Sequence, residues 1–237
     1  MAALFLRQLF DAASSSFTYL LADLQTREAA LIDPVREQLE RDLGLLRELG
    51  LALRFSLETH VHADHVTAAS LLRERTGATT VAGVRGASCA DRQLRHGESL
   101  ALGGLQLRAL ETPGHTDDSL SYLCDGHVFT GDALLVRTCG RTDFQNGDPG
   151  QLFDSITGVL FALGEGTVVC PGHDYRGFTA TTIGEERRWN ARVAGKSRDE
   201  FIALMRALKL PEPKQMAEAV PQNRACGQAP RATGEPG

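Results

Sequence analysis

Apolar positions recur along the chain with periods near two and near 3.6, which divides it into strands and helices. Residues 17–24 and 29–32 are apolar runs joined by the polar turn Gln25-Thr26-Arg27-Glu28. Asp33-Pro34 closes the second run, so the pair predicts two strands. Leu39, Leu43 and Leu46 stand at helical spacing within 37–49, with Gly50 as the stop. Leu51, Leu53, Phe55 and Leu57 alternate with polar or small residues, predicting a strand that leads into His60. A helix follows over about 66–75, ending at Gly77, then a short strand over 79–82. Leu100 and Leu102, a Gly103-Gly104 turn, and the alternating Leu105, Leu107 and Ala109 come next.

Residues 119–124 and 127–130 flank Asp125-Gly126, a two-residue hairpin signal. A helix near 152–163 precedes the apolar strand 167–170. Ser197 and Glu200 form a capping box ahead of Phe201, Leu204, Met205 and Leu208 on one helical face, stopped by Pro211 and Pro213. From 221 to 237 the chain is rich in Pro, Gly and Ala and reads as a fraying tail. No repeat of about 20–50 residues is present. Strand–helix units mixed with antiparallel hairpins predict a mixed α/β sandwich.

Composition narrows the function classes. The 237 residues are 42% hydrophobic and 23% charged, ample for a sizeable core and too apolar for general disorder. A net charge of −5 leaves no basic excess to neutralise phosphates, which excludes a non-specific nucleic-acid binder. Only three of the 25 basic residues are Lys (Lys196, Lys209, Lys214), so the positive groups are almost all guanidinium. Five cysteines (Cys89, Cys124, Cys139, Cys170, Cys226), odd in number and without a C-x-x-C pair, argue against a disulfide framework and for a reducing compartment. No apolar stretch approaches the roughly 20 residues that span a bilayer, and residues 1–10 are too short and too soon acidic for a signal peptide. The expected location is the cytoplasm.

Five of the seven histidines stand where strands or helices begin or end. His60, His62, Asp64 and His65 form an H-x-H-x-D-H run directly after a strand, with Asp64 and His65 expected to enter the next helix. A hydrogen-bonded surface loop would also accept these residues, but imidazoles and a carboxylate packed this closely call for a shared cation. His115 follows Pro113-Gly114, Asp132 follows Thr130-Gly131, and His173 follows Pro171-Gly172. Each alone is an ordinary turn. Their repetition at three successive strand ends makes a metal site the stronger reading. His96 and His127 lack such context and are expected on the surface. All-N/O ligands without thiolate favour a catalytic site with open positions. Two readings survive: two zinc ions bridged by Asp132 and activating water, or one Fe(II) on two His and one carboxylate. Spacing does not choose between them.

The set formed by H-x-H-x-D-H at 60–65, T-P-G-H at 112–115, T-G-D at 130–132 and P-G-H at 171–173 resembles the metallo-β-lactamase superfamily. The finer resemblance is to persulfide dioxygenases (sulfur dioxygenases), the glyoxalase II-related branch that oxidises glutathione persulfide. It rests on residues 6–10, 17–21, 31–35 and, above all, the run 131–145, extended by 173–178 and 210–223. The resemblance implies an αββα sandwich over 1–227 with a loose tail at 228–237. It begins too early to leave room for a mitochondrial presequence. It implies one Fe(II) per chain on His60, His115 and Asp132, with His62, Asp64, His65 and His173 as an outer set that orients the ligands. The same four residues would complete a binuclear site.

By the same resemblance Arg141 and Tyr175 border the reacting groups; Arg141, Thr116, Cys139 and Tyr175 are substrate candidates, and Arg224 is a further one on charge alone. Arg141 has two readings, pairing with Asp143 or gripping a glutathione carboxylate, and the pairing is favoured. The implied reaction takes glutathione persulfide, O₂ and water to glutathione and sulfite. The alternative is a two-zinc hydroxyacylglutathione hydrolase. No membrane or nucleic-acid partner is implied, and the oligomeric state stays open, a homodimer being one alternative.

Overall fold

Two six-stranded sheets face one another in the computed structural model, which describes residues 3–213 and 215–228. The first contains, in chain order, β1 (Leu4–Asp11), β2 (Ser16–Asp23), β3 (Glu28–Ile32), β4 (Ala52–Leu57), β5 (Thr79–Gly83) and β6 (Arg92–Leu94). The second contains β7 (Ser99–Leu102), β8 (Leu105–Glu111), β9 (Leu120–Cys124), β10 (His127–Gly131), β11 (Val168–Pro171) and β12 (Thr181–Thr182). Six helices accompany them among the described residues: α1 (Leu39–Leu49), α2 (Ala69–Thr76), α3 (Pro149–Asp154), α4 (Ile183–Trp189), α5 (Arg198–Ala207) and α6 (Met216–Arg224).

The layers follow from side-chain period. In β2, Phe17, Tyr19 and Leu21 enter the layer between the sheets with Leu57, Leu107, Tyr122 and Phe129. Leu20 and Ala22 point the other way, onto Leu43 and Leu46 of α1 and Leu72 of α2. A strand covered on both faces must be apolar throughout, which is why this segment reads as a run rather than an alternation. On the far side, Val128 and Val169 pack against Leu152, Ile183, Phe201 and Met205 from α3, α4 and α5. The result is the expected αββα sandwich. Asp125 and Gly126 both have positive φ (45° and 74°), the geometry of the predicted hairpin turn.

Four expectations need correction. The helix after the histidine run begins at Ala69, not near 66, so Asp64 and His65 lie in a loop. The cause is an antiparallel bridge of Val35 with Thr67, flanked by Arg36 N to Val66 O and Ala68 N to Pro34 O, which ties 66–68 to residues 34–36 and delays the helix. The helix near 152–163 divides into α3 and a π-helical turn at Ser155–Leu160. The segment from 221 does not fray through its described part: Pro221 sits inside α6, and 222–227 are packed against α2 and the histidine loop. Residues 229–237 of the expected tail lie outside the described residues. Finally, a disulfide joins Cys89 and Cys226, which lie 137 residues apart in sequence. The odd cysteine count concealed a pair that only the fold brings together. Cys124, Cys139 and Cys170 are free and buried, while the disulfide runs against the expected reducing compartment.

Candidate metal centre

The predicted residues converge at one edge of the sandwich. Parallel pairing of β10 with β11 sets Gly131 opposite Pro171, so Asp132 and His173 leave adjacent strand ends together. Gly131 has φ +48°, and a Cβ there would come within 2.4 Å of the Thr59 hydroxyl, so glycine is required for the approach. From the first sheet, β4 delivers residues 59–65. His60 and His62 rings stand 4.1 Å apart, His60 and His115 4.9 Å, and His62 and His65 4.3 Å.

The loop carrying H-x-H-x-D-H is held by side chains from distant segments. Asp33 accepts from Thr59 N and Thr59 Oγ1, Asp118 accepts from Val61 N, and Gln145 Nε2 donates to Val61 O. Asn223 of α6 donates to the carbonyls of both His62 and His65, and its own oxygen accepts from Thr67 N. Sequence reasoning missed Asn223, Asp33, Glu58 and Asp118 as parts of the site. Asp33-Pro34 signalled only a strand end, and nothing local marks Asn223.

His60, His115 and Asp132 form one group whose ligand atoms all lie within 4.8 Å of one another. Each has one polar atom anchored and another left for the shared point. His60 Nδ1 lies 3.0 Å from Thr59 Oγ1, whose proton goes to Asp33, so the ring must donate from Nδ1. His115 Nδ1 donates to the carbonyl of Arg141 at 2.7 Å, which leaves Nε2 toward the shared point. Asp132 Oδ1 accepts from His173 at 2.6 Å, and Oδ2 faces His115 Nε2 at 3.6 Å. Burial, together with the neighbouring His62 and His115, holds the His60 pKa well below the ordinary imidazole value. Against the opposing effect of burial, the charge and hydrogen bond of His173 hold Asp132 ionised. Two imidazoles and a carboxylate with ligand atoms converging on one point fit a divalent cation.

The other four residues are differently employed. His173 lies between two carboxylates, donating from Nδ1 to Asp132 and from Nε2 to Asp64 at 3.1 Å. Burial disfavours its charge, but the two carboxylates raise its pKa well above the usual value, so both nitrogens carry protons. Asp64 Oδ2 also accepts from His65 Nδ1 at 2.9 Å. His62 turns toward Asp33 Oδ1 at 3.1 Å and Glu58 Oε2 at 3.5 Å, a third carboxylate–imidazole group. His62 Nδ1 and His65 Nε2 are buried without a hydrogen-bond partner among the described residues, and His62, Asp64 and His65 also fall within ligand reach of one another.

A cavity of about 530 Å³ opens onto His60, His115, Asp132 and His173. Leu135, Val136, Phe178, Leu210, Pro211 and Pro213 supply apolar wall; Arg141, Arg176 and Arg192 supply cations. Arg141 is not free: it pairs bidentately with Asp143 at 2.7 and 2.8 Å, donates to the carbonyls of Leu210 and Pro211, and lies over Phe144. Arg192 donates to Cys139 O. Among the described residues the Arg176 guanidinium joins no ion pair or hydrogen bond. Tyr175 stacks on His173 with ring centres 5.6 Å apart and is 69% exposed at the cavity mouth. Cys139 is a buried wall residue, its thiol pushed by burial up to about 11.

Two substrate candidates fall elsewhere. Thr116 is buried with its hydroxyl against Ser119 at 2.7 Å and does not line the cavity. Arg224 ends α6 behind the histidine loop, exposed and away from the cavity. Charge alone nominated it, and the fold turns that helix end outward. His96 is exposed and His127 partly so, away from the metal group.

The metallo-beta-lactamase superfamily signature matches residues 90–173. The human mitochondrial persulfide dioxygenase ETHE1 is 44% identical over 229 residues, covering 95% of this chain and 90% of its own. The crystal structure of ETHE1 from Myxococcus xanthus superposes with a TM-score of 0.94 at 60% identity, covering 94% of this chain and all (100%) of that one. A probable hydroxyacylglutathione hydrolase of Schizosaccharomyces pombe is 32% identical over 166 residues, covering 68% of this chain and 64% of its own. No described helix is long and apolar enough to cross a membrane.

Proposed function

The chain belongs to the persulfide dioxygenases of the metallo-beta-lactamase superfamily, and from that membership we propose that it oxidises glutathione persulfide at a single Fe(II). The reaction is GSSH + O₂ + H₂O → GSH + H₂SO₃, which balances in all atoms. His60, His115 and Asp132 would hold the iron, whose role is to couple O₂ to the electron-rich terminal sulfur. The observation that carries the reading is the anchoring of each of these three by one atom while another is left toward a common point.

The remaining residues act by position and charge. His173, doubly protonated between Asp132 and Asp64, fixes the carboxylate ligand and places positive charge behind it. The apolar wall from Leu135 to Pro213 keeps water from the sulfur while the small thiol tail lies against the ligands. Arg141 ties the loop that orients His115 to the 210–211 segment, and so positions rather than grips. Arg176 is the cation left for a glutathione carboxylate, in the place first given to Arg224. Tyr175 offers its hydroxyl at the mouth.

The two-zinc thioesterase reading draws on the unpartnered His62 Nδ1 and His65 Nε2. Against it, Asp64, the carboxylate of the second group, already takes hydrogen bonds from both His65 and His173 on its Oδ2. Metal analysis of protein purified without added metal, with oxygen uptake on glutathione persulfide, tests the choice. About one iron per chain and rapid uptake are expected. Two zincs, no uptake and hydrolysis of S-lactoylglutathione would overturn it.

A further inference from the structure

The disulfide between Cys89 and Cys226 sits where two otherwise separate parts of the chain meet. Cys89 is half-buried in the loop between β5 and β6, and Cys226 is buried just beyond α6 among Ala82, Ala87 and Ala90. Their Cα atoms are 6.0 Å apart. Three residues before Cys226, Asn223 holds His62 O, His65 O and Thr67 N with one side chain. On the other side, Cys226 O accepts from Ser70 N, and Arg36 donates to Gln222 and Gly227. The covalent bond therefore fastens the end of the one helix that braces the histidine loop from behind. Non-covalent ties alone would leave α6 a short helix with Pro221 in its interior, poorly stable by itself. The other cysteines offer no such chemistry: burial pushes the thiols of Cys124, Cys139 and Cys170 to about 11, about 11 and about 12.

We propose that Cys89–Cys226 is a thiol-exchange site whose opening by a small thiol of the glutathione class releases α6 and, through Asn223, loosens the metal-ligand loop. A thiolate RS⁻ attacks Cys89 Sγ, the more accessible sulfur. The Sγ–Sγ bond breaks, and the Cys226 thiolate leaves and takes a proton. A second RS⁻ attacks the R-bearing sulfur of the mixed disulfide, releasing RSSR and the Cys89 thiolate. Overall two RSH are oxidised to RSSR and the protein disulfide is reduced to two thiols. The inference does not depend on which metal the site holds.

The test follows the full-length protein as isolated in buffers of defined glutathione to glutathione disulfide ratio, with thiol labelling and amide exchange in parallel. Two cysteines, Cys89 and Cys226, should label only after reduction. The Thr67 amide, bonded directly to Asn223, should then exchange about tenfold faster while amides of β10 keep their rates. C89S should show the fast Thr67 rate in both buffers. Free labelling of both cysteines without reductant would overturn the proposal. So would a Thr67 rate unchanged within about twofold once both are labelled, or an equal acceleration across β10. The readout contains no activity, so failure of the iron reading would leave it standing.

Discussion

His173 donates from Nδ1 to Oδ1 of Asp132 at 2.6 Å, so a strand-end histidine holds one oxygen of the carboxylate and leaves the other facing His115. Removing it frees the Asp132 side chain to rotate and removes the charge that keeps it ionised. His173→Ala is therefore expected to weaken metal binding by about 10- to 100-fold without changing the number bound. Metal titration of the chelator-stripped variant measures both quantities.

Ligand and bystander separate by stoichiometry. Asp132→Ala should abolish iron binding, because it removes one of three donors. His62→Ala should retain about one iron per chain, since His62 faces Asp33 and Glu58 instead. Elemental analysis of the two purified variants decides; complete metal loss in His62→Ala would point to a binuclear site.

The convergence of five histidines could be read from sequence because His60, His62 and His65 follow a strand, His115 and His173 each follow a Pro-Gly turn, and strand ends on one edge of a sandwich meet. What holds them could not. Asn223 lies in a Pro- and Ala-rich stretch with weak helical signal, and its partners are 156–161 residues away. Thr116 and Arg224 were nominated by neighbourhood and charge, and neither reports which way a side chain points. Cys89 and Cys226 form a pair only through the packing of α6 on the first sheet. Local patterns thus specify elements and their ends, while long-range contacts decide which polar groups brace and which face the cavity.

Two arginines at the cavity should respond differently. Arg176→Ala is expected to raise KM for glutathione persulfide several-fold with kcat nearly unchanged, since a cation at the mouth that pairs with no described residue contributes to binding alone. Arg141→Ala removes a bidentate pair and two carbonyl contacts that tie the loop to 210–211. It should lower kcat as well and speed proteolysis near 208–213. Steady-state oxygen uptake with timed protease digestion separates the two.

The carboxylate–histidine lattice also sets a pH window for the metal-free protein. Burial opposes ionisation of Asp64, but the charges and hydrogen bonds of His65 and His173 depress its pKa well below the ordinary 3.8. Its stabilisation is thus fully present above about pH 4 and is lost as pH falls through the depressed folded value. His173 has the opposite sign: its folded pKa stands well above the ordinary 6.5, so its contribution is complete below about pH 6.5 and is lost as pH rises through the folded value. The contribution of this pair to the melting temperature of chelator-stripped protein, read as wild type minus Asp64→Asn, should therefore be largest between about pH 4 and pH 6.5. Asp64→Asn should flatten the acid limb, because the amide neither titrates nor attracts the imidazolium. It should also weaken the alkaline limb, since His173 keeps only Asp132 to hold its proton. Melting curves across this range, with unchanged limbs in Asp64→Asn, would refute the coupling.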